Sequence, residues 1–139
     1  PAETGSGHSA RGNYYSWPAA MNGNITATGT VQGICPAGWH LPTSNTTVNG
    51  SFEALLAAYG ITNSTAGSTA LQAGPLYYIM SGLVNSDGIG DMQGSGRYWS
   101  ATPHANGLYA YNLNFYPKNI YPADSNDRHA GSSVRCLAN

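Results

Sequence analysis

Tyr98-Trp99-Ser100-Ala101-Thr102, Ala110-Tyr111-Asn112-Leu113-Asn114-Phe115 and Ser133-Val134-Arg135-Cys136 are the stretches that decide how this chain is read. In each, apolar residues recur at strand spacing, so strands are expected over roughly 97–101, 109–116 and 132–137. In the middle one, alternation puts Tyr111, Leu113 and Phe115 on one face and Ala110, Asn112 and Asn114 on the other. The last would bury Val134 and Cys136. An apolar frame with Asn, Tyr, Asp, Ser, Arg and His between its pieces suits a binding surface mounted on a rigid sheet.

Upstream of the first of these strands, Gly82, Gly88, Gly90, Gly94 and Gly96 make residues 82–96 loop-like. Further back, Phe52, Leu55, Leu56 and Tyr59 fall at i, i+3, i+4 and i+7 and predict a helix with one apolar face. Ser51 or Asn49 would cap it, Glu53 suits its first turn, and Gly60 supplies the stop. A second short helix is expected around residues 75–80, begun by Pro75 and facing Leu76, Ile79 and Met80 inward. Tyr14-Tyr15-Ser16-Trp17 reads as a first strand or its end, with Pro18 blocking further pairing. Residues 1–12 read as a flexible lead-in to one domain over 13–139, with a surface loop from Asn22 to Gly33 and no internal repeat.

Composition narrows the class. The chain has 139 residues, enough to bury a core, with 41% apolar residues, 8% charged residues and a formal net charge of −1. That leaves no basic footprint for nucleic acid. Polarity comes from Asn, Ser and Thr, and low charge with Gly 18 and Tyr 10 suits a secreted or surface protein. Weak charge repulsion also eases self-association. No run approaches the roughly 20 apolar residues of a membrane span, and no signal-peptide pattern appears. The chain opens at Pro1 rather than Met, so processing or cutting is expected, with any anchor lying upstream.

Cys35 and Cys136 stand far apart, and neither has a neighbour at metal-ligand spacing. One long-range disulfide is the preferred reading, and two free buried thiols the alternative. A bridge closing about 100 residues would contribute on the order of 4–5 kcal/mol in the chain-entropy model. It would also require an oxidising compartment.

Several motifs in fixed order resemble the Fibrobacter succinogenes major paralogous domain. They are Cys35-Pro36-Ala37-Gly38-Trp39-His40-Leu41-Pro42-Thr43, the aromatic helix after it, Gly96-Arg97-Tyr98-Trp99-Ser100, and Ser133-Val134-Arg135-Cys136. Tyr14-Tyr15-Ser16-Trp17 with Ala19-Ala20, and Gly74-Pro75-Leu76, look like versions carried by surface proteins of small episymbiotic bacteria. The resemblance runs from about Tyr14 to Cys136. It implies an α+β, C-type-lectin-like fold in which two helices flank a small twisted antiparallel sheet and the termini lie close together. It also implies pairing of Cys35 with Cys136, secretion or surface attachment, sometimes behind a pilin-type helix, and no established enzymatic activity. His40 stands where the family commonly has arginine.

The stretch from His104 to His129 is the best binding-surface candidate. Its named ligand-binding residues are Asn112, Asn114, Tyr116, Asn119, Tyr121, Asp124, Asn126, Asp127, Arg128 and His129. Tyr gives large amphipathic contact at low entropy cost, short polar groups adapt their hydrogen bonds, and Tyr and Arg are frequent hot spots. The bland alternative is an ordinary loop, because Asn, Asp, Ser and Pro also favour turns. Asn, Tyr, Asp, Ser, His and Ile are also what asparagine codons become when their adenines change, which resembles lectin-like domains diversified by retroelements.

Calcium has a weak candidate set in Asn85, Asp87 and Asp91 of the glycine-rich loop, without EF-hand spacing or a closing glutamate. The Glu-Pro-Asn and Trp-Asn-Asp signatures of calcium-dependent sugar binding are missing. His8, His40, His104 and His129 share no spacing, and no nucleophile elbow or triad context is present. Sequons begin at Asn24, Asn45, Asn49 and Asn63, as chance readily produces in such a composition.

Three readings follow. The leading one is a non-enzymatic extracellular recognition or adhesion module binding a surface protein or glycan of another cell. The second is the structural head of a pilin-like or self-assembling surface fibre. The third comes from sulfatase-modifying enzymes, which share the lectin-like fold. Their chemistry uses paired active-site cysteines, and a bridge would occupy both cysteines here.

Overall fold

The computed structural model describes residues 12–44, 50–85 and 94–139. The lead-in up to residue 11, His8, the sequon asparagines Asn45 and Asn49, and Asp87 and Asp91 lie outside them. The described chain is α+β, with three helices, two antiparallel sheets and one disulfide between Cys35 and Cys136.

Tyr15 makes an antiparallel bridge with Ser132, after which the chain turns into α1 (Trp17–Ala20) instead of continuing as a strand. Ser16 causes the turn: its extended backbone and its hydroxyl, which accepts from the Ala19 N–H, cap the helix. Pro18 fits because the first turn needs no donor there. Next comes β1 (Trp39–His40), which pairs with the closing strand β5 (Leu137–Ala138) in a two-residue ladder.

Helix α2 (Ser51–Ala58) forms where the apolar spacing places it, burying Phe52 and Leu56 and half-burying Leu55. Its details differ from expectation. Gly50 is the N-cap, and Ser51 instead exchanges hydrogen bonds with Thr43, its N–H donating to Thr43 Oγ1 and its Oγ accepting from the Thr43 N–H, both at 3.0 Å. Tyr59 lies past the helix and is exposed, and Gly60 stops the chain there at φ +61°.

The second helix is not at residues 75–80. Helix α3 (Thr65–Gln72) precedes that stretch, capped by Ser64, whose hydroxyl accepts from the Gly67 N–H at 3.0 Å. Gly67 packs so closely on the backbone of Thr62 that a Cβ would collide with its carbonyl. Residues 77–80 are irregular, with Tyr77 at φ +49°.

The main sheet has the antiparallel order β2 (Gly96–Pro103), β3 (Tyr109–Phe115), β4 (Ile120–Asp127). Ser133 lies alongside β2, accepting from the Trp99 N–H and donating to the Arg97 carbonyl. The expected last strand is thus divided between this contact and β5. Bulges fall between Trp99 and Pro103 and between Asn112 and Asn114.

Apolar clusters cover both faces of the sheet. Trp99, Ala101 and Ala110 pack with Trp17, Ala20, Met21, Val31, Cys35 and Leu41. Tyr98, Leu113, Phe115 and Ile120 pack with Phe52, Leu56, Leu71, Leu76 and Tyr78.

Tyr78 is buried with its hydroxyl unpartnered, edge-on to Tyr98 at 4.8 Å, under the Arg135 guanidinium at 4.3 Å. Burial pushes its pKa up to about 12, with the Arg135 charge opposing. A raised tyrosine pKa gives a contribution that is intact below the ordinary value near 10 and is lost as pH climbs through about 12. Melting temperature is therefore expected to drop between those pH values. Tyr78→Phe should lessen the drop and leave melting at pH 7 unchanged or slightly raised, because no hydrogen bond is lost. Thermal melts of both proteins across that range check this; an equally steep alkaline drop in the variant would contradict it.

Candidate functional site

The register of β3 and β4 decides what reaches solvent. Asn112 pairs with Asp124 and Ala110 with Asn126 on one face; Tyr111 pairs with Ser125 and Tyr109 with Asp127 on the other. The helices cover the second face over Leu113, Phe115 and Ile120. Beyond them, Tyr109 is 40% exposed and Tyr111, Ser125 and Asp127 are half-buried. His104 joins this strip from the β2–β3 hairpin, its ring 5.2 Å from Tyr111 and 6.3 Å from Tyr109. Leu108, 68% exposed, stands at the hairpin tip.

The hairpin is held by its own turn chemistry. Asn106 Oδ1 accepts from the Leu108 and Tyr109 N–H groups at 3.0 Å, and His104 Nδ1 accepts from the Asn106 N–H. Across from Tyr109 on β4, Asp127 Oδ1 accepts from the His129 N–H at 2.8 Å and meets His129 Nδ1 at 3.0 Å. The His129 backbone N–H first, and its ring second, hold the Asp127 carboxyl below its ordinary pKa. Asp127 is therefore an anion held beside Tyr109 and His129. Such a strip offers ring faces, hydroxyl and imidazole hydrogen bonds and one negative charge, a set suited to binding.

The expected outward display of Asn112 and Asn114 is overturned. Asn112 is fully buried and Asn114 is 2% exposed: α1 and residues 31–41 pack on Ala110 of the same face, and Asp124 and Tyr116 bond the Asn114 amide. Neither amide nitrogen nor oxygen of Asn112 has a hydrogen-bond partner. Asn114 Nδ2 donates to Asp124 Oδ2 at 2.7 Å and to Tyr116 Oη at 3.3 Å, while Arg97 donates to Tyr116 Oη at 3.0 Å. Tyr121 adds an edge contact to Tyr116. Asn114, Tyr116, Tyr121 and Asp124 are thus brought together as a rigid polar network, with Tyr121 exposed at its rim.

The other named residues are scattered. Asn119 sits exposed in the β3–β4 turn, its carbonyl accepting from the Tyr116 N–H. Asn126 Oδ1 accepts from the Asp127 N–H. Arg128 is committed to packing: its guanidinium lies 4.4 Å over the Trp17 ring and its Nε donates to the Tyr109 carbonyl. Of the calcium candidates, Asn85 alone is described, and it is exposed. Among the described residues, no three His, Cys, Asp or Glu side chains stand close enough to hold a metal ion.

Tyr109, Tyr111 and His104 fall inside the stretch singled out by sequence but were not among the named contacts, and alternation assigned Tyr111 to the core face. A signal for them exists: that face runs from Phe115 and Leu113 to Tyr111 and Tyr109, and the gain in hydroxyls marks where cover ends.

The fold and strip define a disulfide-linked α+β protein with an aromatic, polar surface on its sheet. No protein-family model matches the chain, and no curated protein or solved structure is significantly similar to it. The disulfide points to a non-reducing compartment, and among the described residues no helix is long and apolar enough to cross a membrane.

Proposed function

We propose that this chain is a non-enzymatic recognition module displayed outside the cell, which binds a protein or glycan of another cell through His104, Tyr109, Tyr111, Ser125, Asp127 and His129. The observation that carries this is the uncovered half of the sheet, where rigid strands hold these side chains in place. Pre-ordered aromatic and short polar groups lose little entropy on binding. That both cysteines lie in one bridge supports the non-enzymatic reading over chemistry needing a cysteine pair. A helix ahead of an antiparallel sheet, and a cysteine before that helix joined to the chain's end, support kinship with the Fibrobacter paralogous domain and a C-type-lectin-like arrangement.

The fibre-head reading draws support from exposed Leu108 and Trp39, which a second copy would cover. The edge strand β4 argues against growth by strand addition, because Pro122 lacks a donor and Asp124 and Asp127 bring charge to the edge. One domain of this size binds modestly, so clustering should matter. A streptavidin tetramer of the biotinylated domain, applied to arrayed bacterial surface glycans and to intact bacterial cells, is expected to bind saturably where monomer binds weakly. Absence of tetramer binding, together with concentration-dependent self-association of the free domain, would favour the fibre head instead.

A further inference from the structure

Further along the sheet, where Tyr98 pairs with Leu113, a second cleft opens whose lining shares no residue with the tyrosine strip. It encloses about 380 Å³ between Asn13, Tyr15, Tyr77, Ile79, Tyr98 and Arg135. We infer that this cleft binds a carboxylated sugar, with the carboxylate on Arg135 and the sugar ring against Tyr77.

Arg135 carries the argument. One face of its guanidinium lies on the Tyr78 ring, and among the described residues it makes no hydrogen bond or ion pair. The described carboxylates sit elsewhere: Asp124 beside Asn114, Asp127 beside His129, and Glu53 on α2. Stacking fixes the plane of the guanidinium and leaves its edge free, and that edge matches a planar carboxylate through two parallel hydrogen bonds.

Tyr77 is the second, independent observation. A bulky residue at φ +49° is an uncommon conformation, yet Tyr77 is 68% exposed and forms a wall of the cleft beside exposed Ile79. Its polar-edged ring suits the mixed apolar and hydroxyl surface of a sugar.

An extended peptide is disfavoured because the backbone of Tyr15, Ile79 and Ser133 in the lining is already paired. Tyr15 bonds Ser132 in both directions, Ile79 bonds the Tyr98 hydroxyl through both its N–H and its carbonyl, and Ser133 bonds β2. Those three are therefore not open to strand addition.

The test is an NMR titration of the labelled domain with methyl glucuronide, with methyl glucoside and N-acetylglutamate in parallel. Glucuronide is expected to shift the Arg135 Nε–H and Tyr77 ring signals saturably, with glucoside and acetylglutamate weaker. Arg135→Gln should weaken glucuronide binding at least about tenfold, the loss of a charge-assisted hydrogen bond. Tyr77→Gly, which suits the positive φ, should weaken binding with melting preserved, so the inference stays testable if Arg135→Gln folds poorly. Equal or tighter binding of acetylglutamate, glucuronide binding unaffected by Arg135→Gln or Tyr77→Gly, or no shift at any concentration would overturn it. Each result is independent of the tyrosine strip.

Discussion

Cys35→Ser is expected to cost about 4–5 kcal/mol, because the bridge to Cys136 closes a loop of about 100 residues whose freedom returns to the unfolded chain. The folded state explains why little else compensates. The bridge ties the residue 31–41 segment to the end of the chain, where the ladder between β1 and β5 is only two residues long. Cys35 is also buried with Trp17, Leu41 and Val31. At roughly 3 °C per kcal/mol for a chain of this size, melting should fall by more than about 10 °C. Calorimetry of the variant, beside wild type with and without reductant, reads this directly. Unchanged melting would refute the role given to the bridge.

Trp99→Ala should be nearly as damaging, at about 3–5 kcal/mol. Trp99 is fully buried between the sheet and α1, and its indole N–H donates to the Tyr15 carbonyl at 2.7 Å. Truncation would leave a large void and remove one of the two hydrogen bonds that the Tyr15 carbonyl accepts, the other coming from the Ser132 N–H. Trp99→Phe refills most of the volume and loses the hydrogen bond, so about 1–2 kcal/mol is expected. Urea denaturation of the two variants separates packing from bonding. A loss under about 1 kcal/mol for Trp99→Ala would contradict the packing argument.

The parts legible in the sequence are those whose cause is local. The Phe52-Leu55-Leu56 spacing announces α2, and the apolar frames announce β2 and β3. Strand β4 is not announced, since Pro122, Asp124, Ser125, Asn126 and Asp127 read as a turn and become a strand by pairing with β3. Helix α3 hides likewise: Leu71 is its one large buried side chain, and Gly67 and Ser68 fit because they are small.

The Asn112 and Asn114 misreading has the same root. Alternation separates two faces but says nothing of what covers each, and the groups that pack on this face beside Ala110 (Trp17, Met21 and Leu41) lie far away in sequence. The proposed surface lies within the stretch that the sequence singles out, but on the face that alternation assigns to the core.

The most direct test of the central claim, that the Tyr109–Tyr111 half of the sheet is the recognition surface, is a comparison of tetramer binding on the same array and cells. Wild type is compared with Tyr109→Ser/Tyr111→Ser and with Tyr59→Ser as an exposed control on the helical side. The double variant is expected to lose at least about tenfold in binding with melting within a few degrees of wild type, as fits loss of aromatic hot spots, while the control binds as wild type does. Undiminished binding by the double variant would contradict the account.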